Sequence, residues 1–162
     1  TSPTLVTPVL GVAGATSINF GDTSLANYKE GTFTPTVLPN FSGDWSNVYT
    51  TQTGIYTRIG RVVFIYVNII FTPTFTTSVG QLQFGSLPFT AGSGGGSGGV
   101  VNMTSGIVWA AGRSNVAPNA NSGTSYFTIT QNGSAQNSSQ IGVTNIVSTV
   151  QVTFECSFQY IV

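Results

Sequence analysis

Two segments of the sequence combine aromatic side chains with hydrogen-bonding groups, the combination that binds sugars. The C–H faces of a sugar ring stack on indole and phenol rings, and its hydroxyls bind amides, carboxylates and guanidinium groups. We therefore predict carbohydrate-binding residues in both segments. They are Asp44, Trp45, Asn47 and Tyr49 in the first segment, and Trp109 and Arg113 in the second, with Asn115 and Asn119 further along the chain.

The same tryptophans have a purely structural alternative. Aromatic side chains dominate cores and interfaces, so Trp45 and Trp109 could instead close the ends of a β-sandwich. Trp109 follows the apolar pair Ile107-Val108, which favours this alternative more strongly there than at Trp45. The sequence leaves both interpretations open.

The sequence lacks the side chains that most catalytic mechanisms need. The chain has no histidine and one cysteine, which excludes ordinary zinc sites and a Ser-His-Asp triad. Cys156 has no cationic neighbour to activate it and is expected to be a small buried hydrophobe. The glycine-rich residues 92–99 lack the Lys-Ser/Thr that ends a phosphate-binding loop and are predicted to be a flexible connection. We predict no catalytic residue, no metal site and no cofactor.

Paired carboxylates are the remaining route to catalysis, because glycosidases place two of them around the scissile bond. The candidates are Asp22, Glu30, Asp44 and Glu155. Glu30 is better explained by a turn or an ion pair, and Glu155 lies on the polar face of a predicted strand. A glycan hydrolase or lyase therefore stays an alternative only.

The low charge content restricts the classes of molecule that the chain can bind. Only 5% of the 162 residues are charged and the formal net charge is zero, which suits a surface partly covered by partner molecules. Four scattered basic residues cannot form the stripe that nucleic acids require. The sequence has no uncharged apolar run long enough to cross a bilayer, so we expect no membrane insertion.

Alternating apolar residues predict an all-β fold. Residues 55–59 and 62–71 flank Gly60-Arg61, which predicts a hairpin with a type II′ turn and Ile59 opposite Val62. Residues 150–162 alternate strictly, as a half-buried central strand does. We predict an antiparallel, jelly-roll-like β-sandwich of about eight strands over residues 29–162. Residues 39–53 and 112–124 are rich in turn formers and are predicted to be loops, residues 100–111 a strand pair or one bent strand, and Asn132-Gly133 a turn. Residues 1–28 are expected to form an extended arm from a longer chain.

Residues 62–71 are apolar on both faces of their strand. One face must meet the core, and the other must meet a second layer, another subunit or the arm. Together with the low charge, this pattern predicts that the chain associates with copies of itself.

Three segments resemble the C-terminal domains of tail fibres and tailspikes of tailed phages. They are YKEGTFTP at residues 28–35, GIYTRIGRVV at 54–63, and GSLPF at 85–89, where Gly and Ser are reversed relative to the family pattern. The resemblance covers roughly residues 7–90. It implies a trimeric fibre-tip or knob domain of the virion that binds host cell-surface carbohydrate. It transfers no binding residues, because the recognition loops of that family vary.

The sequence thus leads to three hypotheses. The first is a non-enzymatic homotrimeric fibre-tip domain that attaches to a host glycan. The second is a structural domain that trimerises or caps a fibre, or decorates a capsid, without contacting a receptor. The third is the hydrolase or lyase.

Overall fold

Antiparallel β-strands make up nearly all of the fold in the computed structural model, which describes residues 17–19, 24–93 and 98–162. The predicted arm of residues 1–28 lies mostly outside the described residues, as do residues 94–97 of the predicted glycine-rich connection. The strands within the described residues are β1 Ser17–Asn19, β2 Ser24–Ala26, β3 Lys29–Phe33, β4 Thr36–Phe41, β5 Ser46–Ile59, β6 Val62–Thr74, β7 Val79–Gly85, β8 Gly98–Ser105, β9 Asn115–Ala120, β10 Phe127–Gly133, β11 Gln136–Gln140 and β12 Val152–Ile161, with a short 3-10 helix at Val143–Asn145.

Two five-stranded sheets form the predicted sandwich. The front sheet has the order β3-β5-β6-β12-β8. The back sheet has the order β11-β10-β7-β4, and β9 also pairs with β10. β1 and β2 pair with each other as a separate hairpin. The all-β, antiparallel sandwich predicted from the sequence is confirmed, with more strands than the eight expected.

The hairpin between β5 and β6 has the predicted register. Ile59 lies opposite Val62, and the pairing continues to Ser46 opposite Thr74, with one bulge near Tyr49. Gly60 has a φ of 58°, the left-handed conformation that the first turn position of a type II′ turn requires. β12 lies between β6 and β8, so its predicted central position is also confirmed.

Aromatic rings from both sheets fill the core. The rings of Phe84 and Phe154 are 4.7 Å apart between centroids, and those of Phe127 and Phe158 are equally close. All four side chains are buried. Burying one such ring stabilises the fold by roughly 1.5–3 kcal/mol. The alternating pattern of β12 places Phe154, Cys156 and Phe158 on this inner face.

Two segments predicted as loops contain strands instead. Within residues 39–53, β4 continues to Phe41 and β5 begins at Ser46. Within residues 112–124, β9 pairs with β10 from Asn115 to Ala120. Both segments are rich in residues with low β-propensity, but continuous pairing with an apolar neighbouring strand overrides that preference.

Three smaller predictions also need correction. The last two residues of the predicted flexible connection, Gly98 and Gly99, belong to β8 and pair with β12. Residues 106–111 were expected to continue a strand, but β8 ends at Ser105, and of these residues Ile107 makes an isolated bridge to Ile146. The turn expected at Asn132-Gly133 lies two residues later, where Gly133 pairs with Gln136. Ala135 adopts a positive φ of 55° there, a conformation that the sequence would assign to glycine or asparagine.

Candidate functional site

The first predicted sugar-binding segment converges on the backbone of β4. The indole Nε1 of Trp45 donates a 3.2 Å hydrogen bond to the carbonyl of Val37. Asn47 Nδ2 donates to the same carbonyl at 2.6 Å, and the Tyr49 hydroxyl accepts from the Val37 N–H at 2.9 Å. Since Val37 belongs to the back sheet and β5 to the front sheet, these side chains connect the two sheets. Asn47 and Tyr49 lie on β5 and not on a loop, contrary to the prediction.

Asp44 fixes the loop between β6 and β7. Its carboxylate accepts hydrogen bonds from the backbone N–H groups of Thr76, Thr77 and Ser78 at 2.8, 2.9 and 3.2 Å. The Thr77 and Ser78 hydroxyls donate to it as well. These donors, the Thr77 N–H foremost, hold the pKa of the Asp44 carboxyl well below its usual range.

The polar groups of the first segment therefore mostly serve the chain itself, except Asn47 Oδ1, which is buried without a hydrogen-bond partner in the described part of the chain. The Trp45 ring also stacks on Phe75, with centroids 5.2 Å apart. A sugar at this place would have to compete with bonds already formed. Carbohydrate binding by these residues stays a prediction, and the geometry gives it less support than at the second segment.

The second predicted segment forms a small open hollow at one end of the back sheet. Trp109, Arg113 and Asn115 line it together with Ser114 and Val116, and its volume is about 100 Å³. Arg113 Nη1 donates to the Asn137 carbonyl, while its buried Nε has no hydrogen-bond partner in the described part of the chain. The half-buried indole and the guanidinium thus border one cavity, which we call the Trp109 hollow. It is large enough for an edge of a sugar ring.

Bonds from the back sheet hold the Trp109 hollow in place. The backbone N–H of Ala110 donates to Gln131 Oε1 at 3.0 Å, and the N–H of Ser114 donates to the Asn132 carbonyl at 2.9 Å. Gln131 is buried, so its amide is a fixed acceptor for the loop. The loop that carries Trp109 and Arg113 is therefore attached at both ends to β10.

A larger polar hollow lies on the outer face of the back sheet and was missed by sequence reasoning. Its volume is about 540 Å³. The lining residues come from four strands or their flanks: Gln81, Asn119, Thr130, Ser138, Ser139 and Gln140. We call it the back-sheet hollow. The signal that could have found it is the run of polar residues at 136–140, had that run been predicted as a strand.

The outer face of the front sheet is apolar where β5 and β6 form it, while β12 adds polar residues such as Glu155 and Gln159. Ile55, Ile59 and Phe64 keep between 42 and 47% of their surface exposed, and Tyr66 and Ile70 are half-buried beside them. Two shallow hollows of about 190 and 290 Å³ flank the Phe64 ring. The single chain therefore leaves open the second apolar face that the sequence identified on β6.

The remaining reactive groups are buried or dispersed in the described part of the chain, and the candidate carboxylate Asp22 lies outside it. Burial, assisted by the charge of Glu155, raises the pKa of the Cys156 thiol far above its usual value. Glu30 accepts a hydrogen bond from the Tyr28 hydroxyl at 2.7 Å, and Glu155 accepts one from Asn102 at 3.2 Å.

Among the residues described, no three His, Cys, Asp or Glu side chains lie close enough together to hold a metal ion. Those residues also include no helix of the length and hydropathy needed to cross a membrane.

The fold has a counterpart among solved structures. No protein-family model matches the chain, and no curated protein sequence does. The Dettilon tailspike protein contains a region of similar fold, with a TM-score of 0.59 and 16% sequence identity. The similarity covers 82% of this chain and 23% of the tailspike chain, so the chain spans about a quarter of the length of that protein. At this identity, the two proteins share a fold.

Proposed function

We propose that the chain is a non-enzymatic domain from the end of a phage tail fibre or tailspike, part of the virion. It assembles as a homotrimer through the outer face of the front sheet and attaches to host cell-surface carbohydrate. The shared fold with a region of a tailspike protein supports the phage assignment. The three sequence segments that resemble tail-fibre and tailspike domains support it independently.

The single observation that carries the proposal is the apolar outer face of the front sheet. Monomeric proteins rarely leave large contiguous apolar patches in water, and such patches usually mark interfaces. Here Ile55 and Phe64 project from adjacent strands and are 47 and 45% exposed. Polar residues interrupt the face, and Glu155 on it is bonded to the neutral amide of Asn102, so the contact must leave this carboxylate in water.

The shape of this face suits a second copy of the same chain. Phe64 forms a ridge between two hollows, one bordered by Ile55 and Tyr66, the other by Ser157 and Gln159. A neighbouring copy can place its own Phe64 ring into one of them. The face carries little charge, and the contact avoids repulsion between identical faces as long as the Glu155 carboxylates lie outside it.

Trimerisation would also explain how shallow sugar sites suffice. The Trp109 hollow is small, so one copy offers a weak site. Linked copies raise the overall binding by factors on the order of 10² or more without any new contact. Because the front sheet supplies the interface, the back sheet and the Trp109 hollow remain open to the host surface.

Light scattering on the purified domain tests the assembly. We expect a mass three times that of the 16.9 kDa chain. A stable, soluble monomer at micromolar concentration would contradict the proposed interface.

Binding to printed bacterial polysaccharides tests the attachment. We expect the wild-type domain to bind at least one of them and Trp109→Ala to lose that binding while keeping its mass. A purely structural trimerisation or capping domain would bind none. A hydrolase or lyase would shorten the bound polysaccharide over hours, which size-exclusion chromatography of the polymer would detect.

A further inference from the structure

We infer that the back-sheet hollow is a subsite for a neutral sugar, and that it binds the same glycan chain as the Trp109 hollow. This inference rests on the proposed attachment function and specifies its ligand. The ligand is then an internal stretch of a neutral polysaccharide and not a single terminal sugar.

The lining of the back-sheet hollow has free hydrogen-bonding capacity. In the part of the chain that the structure describes, the side chains of Gln81, Asn119, Thr130 and Ser138 make no hydrogen bond. Gln140 also borders the hollow, and its Oε1 is buried without a donor among the described residues. An unsatisfied buried acceptor is costly, so a ligand hydroxyl that reaches it after a small side-chain rotation gains a bond that the free protein lacks.

The chemistry of the lining selects the class of ligand. Amides and hydroxyls offer both donors and acceptors, which matches a molecule that carries many hydroxyl groups. None of the six lining residues is charged, so a carboxylate or phosphate would lose its hydration without gaining a cation. The volume of about 540 Å³ falls within the range of small-molecule sites and accommodates a sugar ring.

β9 connects the two hollows. Asn115 lines the Trp109 hollow and Asn119 lines the back-sheet hollow. Their side chains point to the same outer face, because residues two and four apart on a strand share a face. Four residues along a strand span about 13 Å, which is longer than one sugar ring. A ligand that contacts both hollows must therefore be a chain of several sugars lying along β9.

The inference also agrees with the proposed assembly. The back-sheet hollow lies on the face opposite the apolar front-sheet surface. Burying the front sheet in a trimer leaves three such hollows facing outward. Each trimer can then hold a polysaccharide at three places.

The test uses neutral bacterial O-polysaccharides, with size-fractionated fragments of any that the wild-type domain binds, measured by titration calorimetry. We expect the affinity to rise with fragment length until both hollows are occupied. Asn119→Ala combined with Thr130→Ala should weaken binding of the long fragments by about tenfold, the effect of losing one or two neutral hydrogen bonds. Short fragments that fill the Trp109 hollow should bind both proteins equally.

Two further variants keep the test decisive. Ser138→Ala alters the hollow on the exposed strand β11 and should weaken long-fragment binding even if the double variant folds poorly. Gln83→Ala changes an outward polar residue on β7 that does not line the hollow, and should leave binding unchanged. If the wild type binds but the hollow variants bind long fragments equally well, the subsite is wrong and the attachment function stands. If the wild type binds none of the polysaccharides, both are wrong.

Discussion

Gly31 on β3 and Tyr56 on β5 are cross-strand partners, and the Tyr56 ring covers the glycine. A Cβ at residue 31 would lie 3.0 Å from the Tyr56 hydroxyl oxygen and 3.1 Å from the nearest ring carbons. The reverse arrangement occurs two residues along, where the Phe33 ring covers its partner Gly54. Each strand thus supplies a ring that occupies the space left by the other strand's glycine.

This exchange explains two of the sequence segments that resemble tail-fibre domains. Residues 28–35 and 54–63 pair with each other, and the third segment joins them through Phe89. The Phe89 ring meets Tyr56 edge to face at 5.4 Å, and the Arg58 guanidinium lies over it at 4.9 Å. The three segments are therefore one packing unit at the β3 edge of the front sheet, and their residues are explained by packing without a ligand.

The first prediction tests this unit at Gly54. A Cβ there would come within 2.5 Å of the Phe33 ring, so Gly54→Ala must displace that ring. We expect the free energy of unfolding to fall by about 1–3 kcal/mol, the usual cost of overpacking, as measured by denaturant titration. Gly98→Ala is the control, because no atom of the described residues lies within 4 Å of a Cβ at that position.

A double-mutant cycle with Phe33→Ala identifies the cause. If the added methyl group destabilises the fold by displacing the ring, the cost of Gly54→Ala should shrink in the Phe33→Ala background. An equal cost in both backgrounds would show that backbone effects, and not the ring, make glycine necessary.

The fold could be predicted where one strand carried its own signal. The strict alternation of apolar and polar residues identifies β12, and the Gly60-Arg61 turn identifies the hairpin of β5 and β6. Both signals lie within the elements themselves, so both elements were predicted correctly. β9 and β11 carry no such signal, since residues such as Asn119 and Ser138 resemble loop residues. They form strands because β10 offers them a partner, and pairing with a distant segment cannot be inferred from local composition.

The candidate site could be predicted only in part, for a related reason. The sequence identified both Trp45 and Trp109 as candidate sugar platforms, and it favoured a structural role more strongly at Trp109. What separates them is the Val37 carbonyl, which accepts a hydrogen bond from the Trp45 indole, whereas the Trp109 indole makes none with the described residues. The back-sheet hollow was missed altogether, because it exists only where four strands meet.

The second prediction concerns Trp45 as a structural residue. Trp45→Phe keeps an aromatic ring on Phe75 but removes the hydrogen bond to Val37, and should lower the free energy of unfolding by about 1 kcal/mol. Trp45→Ala also leaves a cavity and should cost about 2–3 kcal/mol. Denaturant titration measures both, and Val48→Ala, at a side chain that is 71% exposed, is the neutral control. A fully stable Trp45→Ala variant would show that the indole is free for another role.

The third prediction follows from the lowered pKa of Asp44. A carboxyl whose pKa is lower in the folded state stabilises the fold above its unfolded pKa of about 4. That contribution is lost as the pH falls through the folded-state pKa. Asp44→Asn should therefore have a lower Tm than the wild type at pH 7, and the difference should narrow as the pH falls below about 4. A difference in Tm that is constant from pH 7 to pH 2 would show that the charge of Asp44 does not matter.

The fourth prediction separates the two outer faces of the sandwich. Phe64→Asp places a charge in the centre of the proposed front-sheet interface, where burying it unpaired is costly. We expect light scattering to show a folded monomer in place of the trimer. Leu38→Asp is the matched control, because Leu38 is 49% exposed, close to the 45% of Phe64, but lies on the back sheet. Its mass should stay that of the trimer. If both variants remain trimeric, the chain assembles through another surface. If both become monomeric, the back sheet contributes to the interface, and the back-sheet hollow is then not free to bind a polysaccharide.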